Sequence, residues 1–156
     1  MTKKDNMKDI VIFDLDGTLA LIDKRRTIST KPNGKMDWGI FFDPKNINLD
    51  EPNIPVITMA RMLHSQGFNI VIFSGRTNKT EHTTRSWLTH NRVPFHKLVM
   101  RDKVRHFMPD NEFKKQLLDE YVDIDDVFLV VDDRQQVVDM WRKNGLITFQ
   151  VANGNF

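Results

Sequence analysis

The sequence predicts a three-layer α/β fold: a mainly parallel five-stranded sheet, covered on both faces by helices, with a small flap inserted after the first strand. Three observations carry this expectation. Five short apolar runs, rich in β-branched and aromatic residues, read as strands. Amphipathic helical stretches separate most of them, and such alternation builds βαβ units with parallel strands. One polar segment, Ala20 to Pro52, fits neither pattern. It carries Pro32, Gly34 and Pro44 among several Asn and Asp residues, and is expected to be a flap over the strand ends rather than a sheet element.

In chain order the expected strands are Ile10–Leu15, Phe68–Phe73, Lys97–Met100, Val127–Val131 and Leu146–Val151. The first helix is predicted to start at Pro55, with Val56, Met59, Ala60 and Leu63 on one stripe and Gly67 as its terminator. A second runs from about Thr80 to Asn91 and carries Trp87 and Leu88. A third begins near Asp110, a favourable N-cap residue. The fourth spans roughly Gln135 to Asn144, with Val137, Val138 and Trp141 inward and Gly145 after its end.

Size and composition bound the function classes. A chain of 156 residues is expected to form one domain, residues 1–156 with the flap at about 20–52, and is large enough for a proper core. With 40% hydrophobic and 28% charged residues the composition is that of an ordinary globular protein. A net charge of +2 suits an anionic ligand without implying nucleic acid. Cysteine is absent, which excludes disulfides and thiolate metal sites. No apolar run approaches a membrane span, so no membrane partner is expected, and a cytoplasmic setting is. The first nine residues are polar and Lys-rich with no signal-peptide core after them; they read as a solubilising end.

Ligands of open parallel sheets bind at the carboxyl ends of the strands. Here those ends carry Asp14 and Asp16, Ser74-Gly75-Arg76, Met100-Arg101, and Asp132-Asp133-Arg134. Strand alternation places side chains at i and i+2 on one face, so Asp14 and Asp16 are expected to point the same way, with Gly17 allowing a sharp bend. Like charges this close call for a cation, most simply a divalent one held by oxygen. Magnesium is the expected ion, held by Asp14, by Asp132 or Asp133, and by a carbonyl near Asp16. One carboxylate could then attack while the other moves a proton. Phosphate monoesters resist nucleophiles so strongly that enzymes supply up to ~10²¹-fold acceleration. The Ser74 hydroxyl and the Ser74–Gly75 amides could hold phosphoryl oxygens in a strand-to-helix turn.

The remaining positive charge is expected from a lysine. On the third helix, at roughly 100° per residue, Phe113, Leu117, Leu118 and Tyr121 define an apolar arc of about 140°. Lys114 falls inside that arc and Lys115 opposite it. A lysine among inward-facing residues needs an anionic partner, so Lys114 is the candidate and Asp110, one turn earlier, could orient it.

Asp14-Leu15-Asp16-Gly17-Thr18, then Ser74, then Lys114, then Asp132-Asp133 resembles the four motifs of the haloacid dehalogenase superfamily, in the same order. The segments Val130 to Arg142 and Gln150 to Phe156, with Ser74-Gly75-Arg76 and Arg25, resemble more narrowly the 3′-phosphatase domains of the polynucleotide kinase/phosphatase type found in T-even bacteriophages. The resemblance covers about Lys8 to Phe156. It implies a Rossmann-like, haloacid dehalogenase-like fold and a Mg2+-dependent 3′-phosphatase acting on DNA or RNA ends, in a host cytoplasm if the chain is phage-encoded. Asp14 would be the nucleophile that becomes an aspartyl-phosphate, and Asp16 the general acid and base. Ser74 and Lys114 would hold the phosphoryl group, Asp14, Asp16, Asp132 and Asp133 the metal, and Thr18, Arg25, Gly75, Arg76 and Arg101 the substrate side. Two departures stand out. The sequence has no G-x-x-x-x-G-K-[ST] phosphate loop, so kinase activity is not expected of it, and the match is poor between Arg101 and Asp110 and in the flap after Arg25.

Other readings stay open at this point. A small-nucleotide or metabolite phosphatase on the same scaffold would favour mononucleotides. A phospho-acceptor switch would need an acceptor Asp at the end of the third strand, where Met100-Arg101 stands. A non-catalytic nucleic-acid-binding module is disfavoured by the acidic set. The flap aromatics Trp38, Phe41 and Phe42 could stack bases or form the flap's own small core. Asp14-x-Asp16-Gly17 is not a calcium loop, since the later ligand positions are missing, and the five histidines lack metal spacing.

Overall fold

Strand β1 (Ile10–Phe13) lies at the centre of a parallel sheet, flanked by β4 (Asn69–Thr77) and β6 (Val127–Asp132). The outer strands β5 (Lys97–Arg101) and β7 (Thr148–Gln150) complete the order β5-β4-β1-β6-β7. The computed structural model describes residues 7–155, so most of the Lys-rich start and Phe156 lie outside the described residues.

Alternation along the strands divides the core. Val11 and Phe13 of β1, Ile70 and Ile72 of β4 and Leu129 and Val131 of β6 face α4 (Ile54–Ser65) and α5 (Glu81–His90), whose Val56, Ile57, Ala60, Trp87 and Leu88 pack there. Ile12, Val71, Phe73 and Val130 point the other way, onto Phe113, Leu117 and Leu118 of α6 (Asp110–Tyr121) and Val137 and Trp141 of α7 (Gln135–Lys143). Both faces of a parallel sheet must be covered, which is why its strands read as continuous apolar runs.

Several expectations need correction. The 20–52 segment is more ordered than a plain flap. It leaves and returns as an antiparallel ribbon, β2 (Ala20–Leu21) with β3 (Glu51–Pro52), and between them holds α1 (Asp23–Ser29), α2 (Trp38–Phe41) and α3 (Pro44–Ile47). The side chains of Asp37 and Asp43 cap the two short helices. Phe41 is buried and Phe42 packs against the core, whereas Trp38 is 60% exposed at the rim of the three-ring cluster. Asp110 is the first residue of α6, not its N-cap; Pro109 holds that place.

Strand β4 continues through Ser74-Gly75-Arg76 to Thr77 instead of turning there. Phe73 pairs with Val99 and Thr77 with Arg101, so Ser74, Gly75 and Arg76 oppose Met100 alone. This bulge takes the segment out of the ladder and re-aims its side chains, as bulges beside active sites commonly do.

Candidate active site

β1 stops at Phe13, and residues 14–20 wrap into a tight loop in which the Leu15 carbonyl accepts from the amides of Thr18, Leu19 and Ala20. Alternation therefore does not govern Asp14 and Asp16, whose carboxylates meet different partners. Gly17 has φ +82°, and a Cβ there would run into the Asp133 carboxylate. Its lack of a side chain brings the ends of β1 and β6 together.

Asp14 is buried at the centre of the first group. Its Oδ1 accepts from Lys114 Nζ at 2.6 Å and its Oδ2 from Thr18 Oγ1 at 3.0 Å. Lys114, 1% exposed, also lies 3.3 Å from Asp132 Oδ2 and 3.5 Å from Asp110 Oδ2. Lys115 pairs with Asp119 at the surface. Both oxygens of Asp132 are engaged: Oδ1 accepts the Asp133 amide at 2.8 Å, and Oδ2 accepts Trp141 Nε1 at 3.0 Å as well as Lys114. Asp133 accepts from Thr18 Oγ1 at 3.4 Å. One carboxylate oxygen from each of Asp14, Asp132 and Asp133 lies within 4.8 Å of the others.

The electrostatics of this group favour a bound cation. Burial, and then the charge of Asp132, push Asp14 well above the usual carboxylate range despite Lys114. Burial raises Asp133 too. Lys114 is pulled down by burial, but Asp110, Asp132 and Asp14 reverse this and hold it firmly charged. Asp110 is shared with Arg101, but Asp14, Asp132 and Asp133 still outnumber the one ammonium of Lys114 and leave a negative surplus. Oxygen-only donors of this kind suit a hard divalent ion such as magnesium, so the residues fit the expected metal.

Asp16 heads the second group. Its Oδ1 accepts from Arg25 Nη2 at 2.7 Å and from Arg76 Nε and Nη2 at 2.9 and 2.5 Å. Both arginine side chains are fully buried and also grip Asp50, from the end of the 20–52 segment. Burial raises Asp16, but Arg76 and Arg25 outweigh it and bring its pKa down to about 2. Burial wins at Asp50, pushed up to about 6. Arg25 and Arg76, expected on the substrate side, here bridge Asp16 and Asp50. Asp50 escaped the sequence reading, because nothing distinguished it from the other flap aspartates.

The bulge supplies Ser74, buried, whose Oγ accepts the Arg76 amide at 3.1 Å. Arg101 is committed within the protein. It donates to the carbonyls of Gly75, Arg105 and Met108 and to Asp110, and lies over the Phe113 ring. These bonds tie the 102–109 turn to the bulge. A cleft of about 170 Å³ opens beside Gly17 and Asp133, lined also by Leu21, Ile22, Arg26 and Asn153. A larger cavity, about 530 Å³ between Arg61, His64 and Arg92, lies where β4 and β5 begin, and no carboxylate lines it. No helix among the described residues is long and apolar enough to cross a membrane.

A parallel sheet in this order, with an Asp loop after the central strand, a buried lysine and a paired-Asp strand end, is the frame of a haloacid dehalogenase-superfamily phosphatase. Residues 8–156 match the family model described as the polynucleotide kinase PNKP phosphatase domain, and the chain belongs to that family. Among solved structures it is similar to a chain of the Pnkp1/Rnl/Hen1 complex, with 32% identity and a TM-score of 0.79 over 100% of this chain and 50% of that one. A chain of the Pnkp1/Rnl/Hen1 RNA repair complex gives 32% identity and 0.81, over 100% and 46%. The present chain thus spans about half the length of these two relatives. A haloacid dehalogenase-like hydrolase from Streptococcus pneumoniae, 13% identical, shares the fold at a TM-score of 0.68, over 96% of this chain and 86% of that one.

Proposed function

We propose that the chain is a Mg2+-dependent phosphomonoesterase that removes 3′-phosphates from DNA or RNA ends through an aspartyl-phosphate on Asp14. One observation carries the chemistry: Asp14 sits between a buried ammonium at 2.6 Å and a cluster of carboxylate oxygens within 4.8 Å. Family membership and the likeness to chains of an RNA repair complex support a polynucleotide end as substrate. The reading treats residues 1–156 as one catalytic domain acting in the cytoplasm, a host's if the chain is phage-encoded.

Asp14, the Asp16 carbonyl and Asp133 are the proposed metal ligands, with Asp132 held in place by Trp141 and the Asp133 amide. When bound, the ion neutralises phosphate charge and orients the phosphoryl group for in-line attack. An Asp14 oxygen attacks phosphorus while the bond to the 3′ oxygen breaks, and Lys114 and Ser74 stabilise the phosphoryl oxygens. Asp16 gives the leaving oxygen a proton, taken up from solvent before the first turnover and from the attacking water thereafter, its pKa raised as the phosphate's negative charge approaches. Ionised again, Asp16 takes a proton from water, which attacks phosphorus and releases phosphate and free Asp14. Gly75 shapes the approach: a Cβ there would press on Asp110 Oδ1 at 2.7 Å.

The test is phosphate release, with Mg2+, from a 3′-phosphorylated oligonucleotide, a 5′-phosphorylated one and a 3′-mononucleotide, with Asp14→Asn as control. Preferential release from the 3′-phosphorylated oligonucleotide, lost in the variant, is expected. Faster release from the mononucleotide would replace this reading with a nucleotidase; no release from any would remove the polynucleotide assignment.

A further inference from the structure

We propose that Asp50 is the positioning residue of Asp16: it fixes the two arginines that hold one oxygen of Asp16, so that the other oxygen stays aimed at the reacting phosphate. The inference rests on the role given to Asp16 above.

The geometry is specific. Asp50 accepts Arg25 Nε on Oδ1 at 3.0 Å and Arg25 Nη2 on Oδ2 at 2.8 Å, a two-point grip that sets the plane of that guanidinium. The same Oδ2 accepts Arg76 Nη2 at 2.9 Å. Each arginine thus bridges Asp50 and Asp16 through Nη2, and the four groups form a closed, charge-balanced square. The side chains of Arg25, Arg76 and Asp50 are fully buried, whereas Asp16 is 22% exposed. Two buried guanidinium groups repel one another; Asp16 holds Arg76 through Nε and Nη2 but Arg25 through Nη2 alone, so Asp50 sets the plane of Arg25 and gives Arg76 a second carboxylate. All three arginine bonds to Asp16 fall on its Oδ1, which leaves Oδ2 of Asp16 outside the fork.

Asp50 is itself anchored. Its amide donates to the Ile47 carbonyl at 3.1 Å, and its carbonyl accepts Trp87 Nε1 at 3.0 Å. Phe41 packs under Arg25, with the guanidinium carbon 4.4 Å from the ring centroid, and Thr84 accepts from Arg76 Nη1 at 3.1 Å. The 20–52 segment therefore reaches the chemistry through Asp50 and Phe41, and its fold sets the aim of Asp16. This gives the flap a task in proton transfer.

Leaving-group dependence tests the idea. A 3′-alkoxide needs a proton to depart; nitrophenolate does not. Single-turnover cleavage of a 3′-phosphorylated oligonucleotide is compared with the nitrophenolate burst from p-nitrophenyl phosphate in wild type, Asp50→Asn and Asp16→Asn. Asp50→Asn is expected to lose about 10²-fold or more on the oligonucleotide, the scale of general-acid catalysis, and less than about 10-fold in the burst, following Asp16→Asn. Asp50→Glu, which keeps the charge but displaces it, guards against a folding failure and should show the same split at smaller amplitude. Equal losses on both substrates, or none, would overturn the positioning role while leaving the phosphatase reading intact. A wild-type protein inactive on both would overturn the reading and this role with it.

Discussion

Replacing Lys114 by Met removes the one ammonium that the described residues place among Asp14, Asp132 and Asp110, which lie 2.6, 3.3 and 3.5 Å from its Nζ. Lys114 and Asp132 are 2% exposed at the side chain and Asp14 8%, so water cannot take over the role. Breaking a buried ion pair from one side costs about 3–5 kcal/mol, because uncompensated charge stays behind. That is a large share of the roughly 5–15 kcal/mol that stabilises a typical domain, yet small enough to leave a measurable folded state. The sign of the pH dependence follows from Asp14. Its pKa is already raised on folding, so its contribution is complete below the unfolded value and is lost as pH rises through the folded one. Without Lys114 the folded value climbs further, and the deficit widens with pH. Urea unfolding at about pH 5 and about pH 7.5 should show the larger loss at the higher pH, with Mg2+ recovering part of it. A loss below about 1 kcal/mol, equal at both pH values, would refute Lys114 as the counter-ion of the cluster.

Gly17→Ala should cost more than 1 kcal/mol, from φ +82° and from the contact with Asp133, and should weaken Mg2+ binding; urea unfolding and Mg2+ titration read the two effects. Mg2+ should raise the melting temperature, with about 2.7 kcal/mol gained at a hundredfold excess over Kd, and chelator should reverse this. Because Asp14 and Asp133 are both raised, protons compete with the metal, so calorimetric affinity should increase as pH rises from the acid range toward neutrality.

The layers of the fold were legible because each rests on a strong local signal. Continuous apolar runs mark strands buried on both faces, and the Phe113-Leu117-Leu118 stripe placed Lys114 inside α6 although lysine is a surface residue. What stayed hidden depends on tertiary contacts or on segments too short for periodicity. Helices α2 and α3 have four residues each, set by the Asp37 and Asp43 caps and Pro44. The bulge at Ser74–Arg76 is fixed by register against β5, which no single strand encodes. Alternation fails at Asp14 and Asp16 because the strand ends at Phe13, two residues before the expected Leu15. Arg25, Arg76 and Arg101 carry the charge expected at an anion site, but their donors are committed to Asp16, Asp50, Asp110 and backbone carbonyls. Asp50 could have been suspected only from the need of two buried arginines for a second carboxylate.

The most direct measurement is to trap the covalent intermediate. An oligonucleotide carrying labelled 3′-phosphate is mixed with the protein and Mg2+, quenched in acid within the first turnover, and the protein digested and mapped. The account predicts label on the peptide containing Asp14, none with Asp14→Asn, and none from a 5′-labelled oligonucleotide. Rapid release of labelled phosphate with no labelled peptide at any quench time, or label on another residue, would contradict Asp14 as the nucleophile.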